Sequence, residues 1–482
     1  MNIQKNIYSL YTSFKKHKLL KTLITAIVLI VYINLNLIAE EYVYPYADGI
    51  SKGKYQERRT KLLSQLSPAQ MHVAFSYDHF TKTEYMTVRQ SSNLNYLTGA
   101  IDSKTILLLL ANGVYLNGEK HFQILFIENQ TEKNKLWNGL KMDKKNAVSI
   151  LGFEKVMDYS KFDSVINLAM ANHSDLLVAR YTKGKHFSPY KNSKYKVMEL
   201  NIPLIELLKE KNPYLIIEID KLILQKMRAI KDEEEIQLIQ KAIDITIEGH
   251  KIAMLKSKVG MFEYEIESLM EGEFQRLGAE NNGYNSIVGT GRNTCYLHYT
   301  SSRSKSKDGD LILMDCGAEY HAYTADITRT FPINGKFSEE QKIIYNIVLD
   351  AQMLAISHCR EGQIFKIADS ICKEFIGNKL VEIGLLKDKK DYKKYFPHGT
   401  SHYLGLDVHD VGPYTKLEIG NIITVEPGIY IPEGSDCDPK WWNIGVRIED
   451  DILITKDGSV NLSKALPRTI KEIEELLEKR NN

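Results

Sequence analysis

The chain has 482 residues, 43% hydrophobic and 26% charged, so it can bury more than one core and exceeds the size at which a single core stops growing. Its 63 basic and 61 acidic residues are spread along the sequence and leave a formal charge of +2, which excludes a basic-patch nucleic-acid binder and implies no strongly charged partner. Five cysteines, Cys295, Cys316, Cys359, Cys372 and Cys437, are odd in number and lack metal-finger spacing, so a disulfide framework is not expected.

At the N-terminus, Lys5, Lys15, Lys16, Lys18 and Lys21 precede an uncharged run from Thr22 to Ile33 that continues more weakly through Asn34 and Asn36 to Ala39. A positive flank, an apolar stretch of about a dozen residues and then Glu40 and Glu41 have the form of an export signal, although Leu37 makes a poor cleavage site. Residues 19–39 are also about long enough to anchor the chain in a membrane, with the lysines on the cytoplasmic side. Signal peptide and signal anchor both stay open, and either places the rest of the chain outside the cytosol, periplasmic, secreted or membrane-anchored.

From Tyr42 to Tyr55 the sequence reads as an extended connector with Pro45, Gly49 and Gly53, and the basic run Arg58 to Leu63 opens a helix. Apolar strands at Met71 to Phe75, Thr105 to Leu110 and His121 to Ile127 then alternate with helical patches at Phe162 to Met170 and Lys194 to Lys209. Such alternation predicts a mixed α/β domain. Within it, the stretch Val88 to Gly99, ending Tyr96-Leu97-Thr98-Gly99, resembles a segment of the N-terminal domain of aminopeptidase P and proline dipeptidase, a non-catalytic domain that the resemblance links to active-site closure and oligomer formation. Helical periodicity resumes at Leu222, and Asp232 with three glutamates suits the start of a second helix by complementing its dipole. The boundaries expected are therefore 1–39, 40–221 and 222–482, and the charge cluster from Lys387 to Lys394 reads as a solvated loop.

The last region carries Asp315 at the end of the apolar run Leu311 to Met314 and Asp326 beyond a turn-rich interval, so an antiparallel pair would set both carboxylates side by side. Glu426 follows Ile422 to Val425 and Glu449 follows Ile444 to Ile448, a second strand pair, and His402 completes the set from a short loop. Four hard carboxylates and one imidazole suit a pair of divalent first-row ions, manganese first, with zinc, cobalt or iron as rivals.

From about Leu222 to Ile470 these residues, with Tyr284 to Gly289, Leu297-His298-Tyr299, Asp326 to Pro332, His398 to His402 and Leu406 to Gly412, resemble the pita-bread metallopeptidases, and look most like aminopeptidase P. The fold class implied is α+β, a C-terminal pita-bread catalytic domain preceded by a smaller mixed α/β domain. The resemblance implies that Asp315 caps one metal, that Asp326 and Glu449 bridge, that His402 and Glu426 cap the other, and that Glu426 carries the proton. It further implies that His298 and His409 contact substrate, that His398 lines the pocket, and that Arg447 and Tyr430 orient Glu449 and the nucleophile.

The expected substrate is a peptide with proline at its second position, and the expected assembly a homo-oligomer, dimer or tetramer. Ser401 matches aminopeptidase P better than proline dipeptidase, but the short step from His402 to Glu426 and Ile419 before Gly420 leave chain-length preference open. A proline dipeptidase is the alternative, followed by an inactive pita-bread binding module. Creatinase-like chemistry, which dispenses with metal, is disfavoured by the intact ligands.

Overall fold

The computed structural model describes residues 22, 42–76, 90–102, 104–179, 208–220 and 222–481. The stretch read as a signal peptide or anchor, apart from Thr22, lies outside the described residues, as do Val88, Arg89 and most of the helical patch expected from Lys194 to Lys209. Among described residues no helix is long and apolar enough to cross a membrane. Residues 42–45 and 132–142 form one unit, and residues 46–131 with 143–481 form a second that holds both sheet systems.

In the N-terminal region the strands β1 (Gln70–Phe75), β2 (Ile106–Leu116), β3 (Glu119–Ile127), β4 (Lys155–Asp158), β5 (Asp175–Ala179) and β6 (Ile216–Asp220) make one sheet in the order β4-β3-β2-β1-β5-β6. Pairings β1/β2 and β2/β3 are antiparallel, and β3/β4, β1/β5 and β5/β6 parallel, so the expected mixed domain is present. The interior strands are apolar on both faces because helices cover them. In the helix Phe162–Ala169, Phe162, Val165, Ile166 and Ala169 share one face by helical spacing and pack on β1, β2 and β3 through Phe75, Leu108 and Phe126.

The basic run that was expected to open a helix instead closes one. The helix spans Lys52–Leu63, capped by Ser51, so the connector ends earlier than its composition suggests. Arg58 and Arg59 are buried: Arg59 Nη1 donates to the Leu97 carbonyl at 3.0 Å and its guanidinium covers the Phe153 ring, while Arg58 Nη2 lies 3.1 Å from Asp232 and 3.2 Å from Glu235.

Asp232 and Glu235 form the capping box of the helix Glu233–Lys256, as the acidic start predicted. Beyond it, β8 follows the short β7 (Asn281–Asn282) at Ile287–Thr290, and joins β9 (Leu311–Cys316) in a sheet completed, after the small hairpin of β10 (Ala318–Tyr320) and β11 (Tyr323–Thr324), by β12 (Ile327–Pro332). Strands β9 and β12 are antiparallel with Asp315 opposite Thr328, two residues from the simplest side-by-side placement of Asp315 and Asp326. The second ribbon is more broken than the sequence suggests. Its strands β13 (Ile422–Val425) and β14 (Gly428–Ile431) pair antiparallel with β16 (Asp450–Thr455) and β15 (Ile444–Arg447) respectively, and β17 (Gly458–Asn461) extends the first of these sheets. Val425 faces Asp450 and Gly428 faces Arg447, so the register runs unbroken across the gap and sets Glu426 opposite Glu449. Pro427, which has no N–H to give, sits at the interruption.

The helix Glu339–His358 spans that interruption. Its buried Gln352 donates from Nε2 to the Val425 carbonyl at 3.1 Å and the Ile448 carbonyl at 3.2 Å, the two residues just before the glutamates. The core beneath includes Val348, Ile423, Val425, Val446, Ile448 and Ile452. The lysine cluster is not a plain loop: Lys389–Lys394 is a 3-10 helix, largely exposed.

Candidate metal centre

Asp315 ends on β9, Asp326 precedes β12, Glu426 and Glu449 occupy the break in the second ribbon, and His402 comes from the segment before it. One ligand atom from each of Asp326, His402 and Glu449 lies within 4.8 Å of the others. His402 Nε2 is 3.3 Å from Asp326 Oδ2 and 3.6 Å from Glu426 Oε1. Asp315 joins through the Tyr284 hydroxyl, which lies 2.7 Å from Asp315 Oδ1 and 2.5 Å from Asp326 Oδ1. All five residues singled out as donors therefore converge on one place.

The residues around them fix each donor. His402 Nδ1 donates to the Tyr403 carbonyl at 3.1 Å, which leaves the Nε2 lone pair for a metal. Thr328 Oγ1 donates to Glu449 Oε2 at 2.7 Å and accepts from Arg447 Nε at 3.2 Å. Arg447 Nη2 donates to Asp315 Oδ2 at 2.5 Å, and Nη1 to the Tyr430 hydroxyl at 2.9 Å. The expected link between Arg447 and Glu449 is thus indirect: the hydrogen bonds of the guanidinium go to Asp315, Tyr430 and Thr328, and Thr328 passes the constraint on.

His398 Nδ1 donates to the Gly399 carbonyl at 2.7 Å, so Nε2, 2.8 Å from the Tyr430 hydroxyl, is the acceptor. Burial and the nearby Arg447 push the His398 imidazole down to about 4, so it stays neutral near neutral pH. His409 is exposed, with its ring edge-on to that of His402 at 4.3 Å between centroids. His298 is exposed and close enough to His398 to repel its charged form. The histidines expected at the substrate thus line the open side of the cluster.

Electrostatics decides whether these residues fit metal. Burial pushes Glu449 well above the usual carboxylate range, with Asp326, Glu426 and Asp315 adding repulsion, and Glu426 rises to about 7 from burial, with Asp326 and Asp315 adding repulsion. Asp326 is raised by burial and Asp315. With the four carboxylates ionised and His402 neutral, the state that metal ligation requires, one guanidinium leaves three negative charges in excess, more than a single divalent cation neutralises. The donor set fits two such ions, which Asp315, Asp326, His402, Glu426 and Glu449 would hold.

Two supporting residues escaped the sequence reading. Tyr284 stands in a noted motif but gave no sign of its role. Thr328 could have been found, since strand alternation puts residue 328 on the same face as 326. Cys316 beside Asp315 is fully buried, its thiol raised by burial, and acts as a small core hydrophobe as expected.

Comparison with known proteins agrees with this geometry. The family model "Metallopeptidase family M24" matches residues 237–456, and "Aminopeptidase P, N-terminal domain" matches residues 55–178. The chain is 34% identical over 448 residues to an Xaa-Pro aminopeptidase of Escherichia coli strain K12, covering 89% of this chain and 98% of that protein. A Haemophilus influenzae Xaa-Pro aminopeptidase is 36% identical over 447 residues, with 90% and 99% covered. The solved structure of E. coli aminopeptidase P with the inhibitor Pro-Leu superposes with a TM-score of 0.79 at 32% identity, covering 90% of this chain and 99% of that one. The α+β architecture, with an aminopeptidase P N-terminal domain and a pita-bread C-terminal domain, is that of these proteins, and the chain belongs to metallopeptidase family M24, in its aminopeptidase P branch.

Proposed function

We propose that this chain is an Xaa-Pro aminopeptidase, a dinuclear-metal hydrolase that cuts the peptide bond between an N-terminal residue and a following proline. The observation that carries this is the convergence of Asp315, Asp326, His402, Glu426 and Glu449, with histidines on the open side. Relatives that match along nearly their whole length carry that name. Oxygen-rich donors with one imidazole favour manganese.

Two divalent cations supply an acidified water and a Lewis acid for the scissile carbonyl. The chain's own residues do the rest. Glu426, on the His402 side of the cluster, takes the proton of the nucleophile and returns it to the leaving proline nitrogen. Arg447 holds Asp315 and Tyr430, so the donors and the His398–Tyr430 pair keep one geometry through the reaction. His298 and His409 are placed to hold substrate and to stabilise the charge that develops on the carbonyl oxygen.

Refilled with manganese, the protein should release the first residue of Arg-Pro-Pro. Cleavage of Ala-Pro alone would make it a proline dipeptidase, and silence on both by a folded, metal-loaded protein would favour a binding module.

A further inference from the structure

The loop that leaves the metal centre at His402 comes back with His409, and it is closed on itself. The Asp410 amide donates to the Tyr403 carbonyl at 2.8 Å, and the Gly405 carbonyl accepts from the Thr324 amide at 3.0 Å. Two aspartates bracket His409 in this loop, Asp407 and Asp410. Both accept from one nitrogen, Arg228 Nη2, which lies 2.7 Å from Asp407 Oδ2. Lys231 Nζ donates to the other oxygen of Asp410 at 3.1 Å.

Arg228 is 1% exposed, and Lys231 and Asp410 3% each, so these charges are almost wholly removed from solvent. The clasp also reaches into the N-terminal region: Arg228 Nη1 donates to Asn93 Oδ1 at 2.8 Å, and Ser92 Oγ to Asp407 Oδ1 at 2.8 Å. There is no slack in it. A Cβ on Gly405 would meet Asp410 Oδ2 at 2.2 Å and Lys231 Cε at 3.0 Å.

Buried ion pairs add little stability over a well-packed apolar core, because desolvation offsets their attraction. What a guanidinium fork adds is geometry, since its donors point in fixed directions and hold several acceptors at once. Here the acceptors stand one residue after and two before a histidine whose ring abuts a metal ligand.

We propose that Arg228 is a positioning residue, which through Asp407 and Asp410 sets His409 against His402, and that Ser92 and Asn93 make this placement depend on the N-terminal region. The proposal rests on the aminopeptidase reading in one respect, that His409 contacts the substrate.

The test is a double-mutant cycle on the full, manganese-loaded chain, with Arg228→Lys, Ser92→Ala and His409→Ala alone and each of the first two combined with the third. Arg-Pro-Pro hydrolysis and calorimetric binding of Pro-Leu are read together with manganese content and melting temperature. Arg228→Lys keeps the charge and loses the fork, and is expected to lower kcat/KM about 10- to 100-fold, as a displaced substrate contact does. Ser92→Ala, which removes one hydroxyl and leaves the ion pairs, should cost about 3-fold.

Both losses should nearly vanish in the His409→Ala background, in hydrolysis and in Pro-Leu binding alike, with manganese content unchanged throughout. Equal losses with and without His409 would mean a general structural role and overturn the proposal. So would loss of manganese along with activity. An inactive wild-type chain would instead sink the aminopeptidase reading, a result distinct from either.

Discussion

Replacing Glu426 with glutamine should lower kcat/KM on Arg-Pro-Pro by about 1000-fold or more while the chain stays folded, an effect at the upper end of what a lost proton carrier costs. Glutamine keeps the shape and one oxygen, but it cannot accept a proton and is a poorer metal ligand. Stability should not suffer. Glu426 sits opposite Glu449 in the ribbon register, and burial, with added repulsion from Asp326 and Asp315, raises its carboxyl to about 7. Removing one negative charge from that cluster should leave the metal-free variant melting no lower than metal-free wild type. A loss of less than about tenfold would assign proton transfer to another group.

The second large effect concerns metal removal. In the stripped protein Glu426 has a folded value of about 7 against an ordinary 4.5, and Asp326 and Glu449 move in the same direction. A carboxyl raised on folding contributes stability that is fully present below its ordinary value and is lost as pH rises through its folded value. For Glu426 alone the loss between these limits is about 3 kcal/mol. His402, raised to about 9 chiefly by Asp326 against the opposing effect of burial, also favours the stripped fold at lower pH.

The stripped chain should therefore weaken from about pH 4.5 upward through pH 7, whereas cations that hold the carboxylates in their charged form reverse the penalty. Melting of loaded and chelator-treated protein at pH 5 and pH 8 checks this. The gap between them should be several degrees wider at pH 8. A gap of the same size at both values would show that the clustered carboxylates are not what metal relieves.

Much of this centre was legible because its donors carry local signals. Asp315, Glu426 and Glu449 each follow an apolar run, so their placement at strand ends follows from period and composition, and the acidic start at Asp232 marks a helix that the structure caps with Glu235. What escaped was long-range. Arg58 and Arg59 read only as the start of a helix, yet they lie near its end and are buried against Asp232, Glu235, Leu97 and Phe153. Arg447 was assigned to Glu449, and its guanidinium in fact meets Asp315, 132 residues away in sequence. No local pattern encodes such partners, because their chemistry is satisfied only once the chain has brought the strands together.

The central claim, that five side chains hold two divalent cations for hydrolysis, is met most directly by titrating manganese into the stripped wild-type chain near neutral pH, with elemental analysis and Arg-Pro-Pro turnover on the same samples. Two equivalents should bind, turnover should return in step with them, and Asp326→Asn should lose at least one equivalent together with activity. A well-folded wild-type chain that takes up no divalent cation under these conditions would contradict the claim.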